Sequence, residues 1–146
     1  LDSCRIEKAY RHFGHDITDE DHVLEAGLGF AVKTGKGDFI GRDAVLHKQD
    51  QGLARMMLQF RLENPEPLLF HNEAILRDGK IVGPVTSGNY GHALGGAIGM
   101  GYVPCAGQSA EDVLASHYEI EVAGVRHKAV ASLAPMYDPA SARVRM

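Results

Sequence analysis

Arg5, Glu7, Lys8, Arg11, His12, His15 and Asp16 crowd one helix end and the turn behind it. A carboxylate on a helix beside aromatic residues suits a flat heterocycle, because its two oxygens accept two parallel N–H bonds. A pterin ring presents such an edge. The competing interpretation of the same residues is a solvated helix face with ordinary salt bridges. His12-x-x-His15 followed by Asp16 has a spacing compatible with a metal, but no second ligand pair lies nearby and Gly14 interrupts the helix. No metal is therefore expected. The five glycines from Gly91 to Gly101 do not fall as G-x-G-x-x-G between a strand and a helix. They predict a strand that bends or passes close to other backbone rather than a nucleotide loop. Lys33, Lys36 and Arg42 surround a glycine loop and would either meet an anionic tail or sit as ordinary surface cations.

Local sequence signals define the helices, strands and turns around these residues. Asp2 to Tyr10 has Ile6, Ala9 and Tyr10 at helical spacing, and Gly14 breaks it. Thr18 or Asp19 caps a short helix, Leu28 to Lys33 is a strand, and Thr34 to Asp38 is a loop. Gly41 to Gln51 is helical, with Gly52 as its stop. Leu53 to Leu62 alternates as a strand with Met56, Leu58, Phe60 and Leu62 on one face. Asp78-Gly79 turns a hairpin between Ala74–Leu76 and Lys80–Val85. Ala97 to Val103 is a further strand. His117 to Val122 and Val125 to Ser132 form a second hairpin around Ala123-Gly124. Several short, evenly spaced strands with turns between them predict a small barrel, with a boundary near Gln51.

Composition sets the outer limits. Of 146 residues, 45% are hydrophobic and 23% charged, as in an ordinary globular α+β chain. A net charge of −4 gives no basis for holding nucleic acid or an anionic membrane by bulk charge. No apolar run approaches the roughly 18 residues of a membrane-spanning helix. Cys4 and Cys105 lie too far apart for a metal pair, and they predict reduced thiols in an intracellular protein. The chain has no initiator methionine, Leu1 to Arg5 lacks the apolar core of a signal peptide, and the sequence opens inside a helical pattern, which predicts a piece of a longer protein.

Five ordered blocks extend this reading. Leu1 to Ile17 resembles the glycine-cleavage T-protein segment that reads D-S/T-L-R-L-E-x-G followed by Y/W-G-x-D/E. Its E-K-x-Y-R-H-aromatic-G-H-D form is more similar to the sarcosine and dimethylglycine dehydrogenase branch. Leu24 to Lys33 is similar to the next block, and Asp38 to Ala44 to the F-I-G-R-x-A after it. Gly83 to Gly88 and Ile98 to Val103 resemble the family's small carboxy-terminal barrel, and Ala134 to Pro139 its closing P-x-Y/F-D-P.

The resemblance implies an α+β chain. Residues 1–51 would be the carboxy-terminal segment of the aminomethyltransferase folate-binding domain, and 52–146 a small antiparallel β-barrel domain. It implies a tetrahydrofolate-binding module that captures a one-carbon unit from a small N-methylated amine as 5,10-methylenetetrahydrofolate. FAD would enter only through an upstream flavin domain. A T-protein aminomethyltransferase proper and a non-catalytic folate-binding or structural member are the alternatives. By motif, Glu7 matches the glutamate on the pterin edge, and Phe13 takes the aromatic place of the Y/W-G pair. Lys36 falls where T-proteins carry an arginine, keeping the charge but not the fork. The family's catalytic aspartate lies upstream, so no catalytic residue is expected in this chain and the piece alone is expected to be inactive. The location implied is the cytoplasm of a bacterium or the mitochondrial matrix of a eukaryote.

Overall fold

A computed structural model describes residues 1–145. Six strands, β1 (Arg55–Leu62), β2 (Ala74–Arg77), β3 (Lys80–Gly91), β4 (Gly96–Pro104), β5 (Tyr118–Val122) and β6 (Val125–Ser132), close a barrel in the order β1-β4-β3-β2-β5-β6. Every pairing is antiparallel, and β6 returns to β1 through Phe60↔Ala131 and Leu62↔Ala129. The expected alternation sets the inside. Met56, Leu58, Phe60 and Leu62 join Ile75, Val85, Val103, Tyr118 and Ile120 in one interior cluster. The Asp78-Gly79 turn has φ of 51° and 79°, the two left-handed angles that an Asp-Gly hairpin supplies.

β1 is buried on both faces, which simple alternation does not predict. Met57 and Gln59 point out of the barrel yet are 2% and 3% exposed. The cover is α1 (Asp2–Glu7), which packs mainly on β3 and also on β4. Ile6 and Ala9 form a second cluster with Met57, Ile98 and Met100 on this outer side. A helix of six residues without a side-chain N-cap is not stable alone, so this docking is what keeps it folded. It ends sooner than the expected Tyr10. Ala9 turns left-handed at φ 52°, the Ala9 amide bonds the Ile6 carbonyl and the Tyr10 amide bonds the Arg5 carbonyl. That is a Schellman ending with alanine where glycine is usual.

Two more expectations fail locally. Leu28 to Lys33 is not a strand: Gly29–Ala31 is a short 3-10 turn and Phe30 is 82% exposed. The closed barrel has no free edge to pair it, and an unpaired strand has nothing to satisfy its backbone. Thr18 does not start a helix either. Asp21 accepts from the Thr18 amide at 2.7 Å and from its hydroxyl, closing a turn. Helix α2 (Arg42–Gln51) forms as expected. α3 (Ala110–Leu114), not foreseen, is opened by a Ser109–Asp112 capping box and sends Val113 into the barrel interior. Among the described residues no helix is long and apolar enough to cross a membrane.

Candidate functional site

The outer face beneath residues 1–27 is where the charged residues gather, and a bulge in β3 makes the gathering possible. Register slips between Val85 and Ser87, leaving Thr86 as the extra residue. In a regular strand the neighbours Thr86 and Ser87 would point to opposite sides. Here the Thr86 hydroxyl donates to Asp16 Oδ1 at 2.6 Å, and Arg5 Nη2 donates to the Ser87 hydroxyl at 2.8 Å. Arg5 Nη1 reaches Asp16 Oδ2 at 2.5 Å, and the His12 amide donates to the same oxygen at 2.9 Å. Both Asp16 oxygens are thereby committed, and the residue is 1% exposed. The His12 and His15 rings stand 4.6 Å apart at the rim. No group of three metal-ligating side chains occurs among the described residues.

Glu7 is the last residue of α1, at the negative end of the helix, where a carboxylate gains nothing from the helix dipole. Backbone amides offset this. Ala93 and Leu94, in the loop between β3 and β4, donate to Oε1 at 2.6 and 3.3 Å. Gly91 leaves room for the carboxylate, since a Cβ there would stand 3.2 Å from Oε1. The second oxygen, Oε2, accepts no hydrogen bond among the described residues. It is not one of the buried unpaired atoms found there, which are Glu73 Oε2 and the Tyr102 hydroxyl. Glu7 is therefore half-engaged.

Phe13 is 69% exposed, touching its own turn through a backbone bridge to Ile17. Lys36 is exposed in a short 3-10 turn, Thr34–Lys36, and lines a concavity of about 580 Å³ with Lys33, Asp38 and Phe39. Neither Glu7 nor Phe13 lines that concavity. The fold thus does not bring the three expected residues into one cavity of this chain. Of the loop cations, Arg42 turns back to the Thr34 carbonyl at 2.8 Å.

A second polar junction was not legible from spacing. Glu25, 5% exposed, takes Lys48 of α2 at 2.7 Å, Arg55 of β1 at 3.0 Å and the Ala54 amide at 3.3 Å. Burial alone would raise its carboxyl; the bonds from Lys48, Arg55 and Ala54 outweigh that and hold it below the usual range. Arg55 also reaches Asp21 at 2.6 Å and lies 4.3 Å over the Tyr102 ring. Burial, reinforced by the charge of Asp21, pushes the Tyr102 phenol up to about 12. Asp21, Arg55 and Tyr102, with His15, Asp16, Thr86 and Pro84, line a cleft of about 440 Å³ between the segment and the barrel. No sequence motif marks this cleft, because its walls come from five separate stretches of chain.

Residues 55–138 match the model of the glycine cleavage T-protein C-terminal barrel domain. The chain is 38% identical over 99% of its length to 4-methylaminobutanoate oxidase (formaldehyde-forming) of Paenarthrobacter nicotinovorans, and 38% over 99% to mitochondrial sarcosine dehydrogenase of Homo sapiens. It covers only 17% and 16% of those proteins. An aminomethyltransferase of Halothermothrix orenii is 42% identical over 70% of the chain, which covers 28% of that relative. The crystal structure of glycine cleavage system aminomethyltransferase T from Bartonella henselae superposes with a TM-score of 0.79. It is 28% identical, with 94% of this chain and 38% of that one covered.

Proposed function

Since the chain belongs to the glycine cleavage T-protein family through its C-terminal barrel domain, we propose that it forms one wall of a tetrahydrofolate pocket in a larger protein that oxidises an N-methylated amine. In this reading residues 1–51 end the folate-binding domain and 52–146 are the barrel that supports it. The half-engaged carboxylate of Glu7 carries the proposal. Oε1 is pinned by the Ala93 and Leu94 amides, leaving Oε2 to accept from the N–H edge of the pterin. Phe13 is the ring proposed to stack on the cofactor, and Lys36 a cation for the folate's carboxylate end.

The chain itself supplies binding and orientation. Tetrahydrofolate, when bound, supplies the nitrogens that capture the one-carbon unit as 5,10-methylenetetrahydrofolate. The catalytic aspartate, and FAD if the protein has a flavin domain, belong to parts outside these residues. The oxidase and the dehydrogenase align over 99% of the chain at 38% identity, against 93% at 35% for the Nostoc aminomethyltransferase, which supports the amine-oxidising branch.

Calorimetric titration of tetrahydrofolate into the full-length protein tests the assignment. Glu7→Ala is expected to weaken binding by about 1.5–3 kcal/mol, the range for a hydrogen bond to a charged group. Unchanged affinity would remove Glu7 from the site, and no binding by the unaltered protein would favour a structural role for the fold.

A further inference from the structure

The exit of α1 is held by a clamp that no sequence motif assigned. Gln59 is the buried amide on the outer side of β1, directly beneath the helix. Its Nε2 donates to the Ile6 carbonyl at 2.6 Å and to the Glu7 carbonyl at 3.2 Å. These belong to the last carbonyls of a helix, which have no partner within it. Its Oε1 accepts from the Met136 amide at 2.7 Å. The next residue along the tail, Tyr137, donates its amide to the Glu7 carbonyl at 3.3 Å. One position further, Lys8 Nζ donates to the Asp138 carbonyl at 2.6 Å and approaches its carboxylate at 3.3 Å and the Ser141 hydroxyl at 3.1 Å. The Lys8 and Asp138 side chains are 11% and 7% exposed.

Residues 6 to 8 thus run against residues 136 to 138 with a barrel amide bridging them. The backbone of Glu7 is fixed from below by Gln59 and from the side by the tail, while its carboxylate meets the 93–94 loop. Three separate parts of the chain define one side-chain direction. A six-residue helix could not hold that direction by itself. Resting on the reading of Glu7 given above, we propose that Gln59, Lys8 and Asp138 are positioning residues, and that the carboxy-terminal tail is a strap whose task is to aim the Glu7 carboxylate.

Amide hydrogen exchange in the full chain reads this directly, because the Ala93 and Leu94 amides report whether Glu7 is in place. Gln59→Met and Lys8→Met should speed exchange at Ala93 and Leu94 at least tenfold, with the barrel amides of Leu58 and Ile120 unchanged. Lys8→Arg should restore part of the protection. Val113→Ala, a core change on α3 that lowers the melting temperature, should leave Ala93 and Leu94 protected relative to the barrel. Unchanged exchange in Gln59→Met and Lys8→Met, or equal acceleration in Val113→Ala, would overturn the strap. A second arm measures the Kd for 5-formyltetrahydrofolate in the full-length protein, where Gln59→Met and Lys8→Met should each raise it about tenfold. If Glu7→Ala leaves that Kd unchanged while the exchange result holds, the folate reading fails and the strap stands. If Glu7→Ala raises the Kd and the two clamp variants do not, the positioning proposal fails alone.

Discussion

Asp16 is buried with both carboxylate oxygens engaged, taking Arg5, the His12 amide and Thr86 together. Arg5 is itself only 15% exposed, so removing its partner would leave a guanidinium largely out of water. Asp16→Ala is expected to destabilise by about 3–5 kcal/mol, the cost of leaving half of a buried pair behind. Urea denaturation measures it, and a loss under 1 kcal/mol would mean that Arg5 finds Asp2 and Ser87 sufficient. Ala9 belongs to the same scale. The segment's motif resembles one that carries glycine at this point, and the left-handed φ of 52° explains why. Alanine at this strained angle is buried in the cluster of Ile6, Met57, Ile98 and Met100.

Among elements, the junction at Glu25 ties residues 21–27 to α2 and β1 at once. Its carboxyl is held below the ordinary value, so the folded state binds the proton more weakly than the unfolded one. The stabilisation is complete above the unfolded carboxyl range, about pH 4.3. It is lost as pH falls through the lower folded value. Glu25→Gln should therefore lower stability at pH 7 by about 1.5–3 kcal/mol. The difference from the unaltered chain should shrink on acidification below about pH 4. Urea midpoints at pH 7 and pH 3 check this, and an equal gap at both would sink it. The elements themselves were legible wherever local chemistry fixes them. The apolar face of Met56, Leu58, Phe60 and Leu62 gave β1, and Asp78-Gly79 gave the β2–β3 hairpin. The five-residue α3 went unseen, although Ser109-x-x-Asp112 is a capping signal, because its aspartate replaces the usual glutamate or glutamine.

At the scale of the molecule, barrel closure depends on small residues where strands crowd. A Cβ on Gly101 would stand 2.4 Å from Ile75 Cδ1 and 2.7 Å from the Pro84 carbonyl oxygen. The side chain can shift, but the backbone oxygen belongs to the neighbouring strand and cannot. Gly101→Ala is expected to destabilise by about 1–3 kcal/mol. That corresponds to a melting-temperature loss of roughly 3–10 °C, measurable by calorimetry; an unchanged melting temperature would show that the strands can part without loss.

Alternation and turn chemistry alone determined six strands and two of their hairpins, because those signals act over two to five residues; β3 runs past the expected Val85 to Gly91 by pairing with β4. Five ordered motif blocks between Leu1 and Pro139 likewise carried the family, whose barrel model matches residues 55–138. Side-chain direction, by contrast, was set by the closed fold. Leu28 to Lys33 fails to be a strand because a closed barrel offers no edge. Thr86 and Ser87 face the same charged pair because a bulge shifts the register. Glu7 divides its two oxygens because a distant loop supplies amides to only one of them. Each outcome depends on which remote backbone lies within hydrogen-bond reach, and that proximity exists only once the barrel has closed.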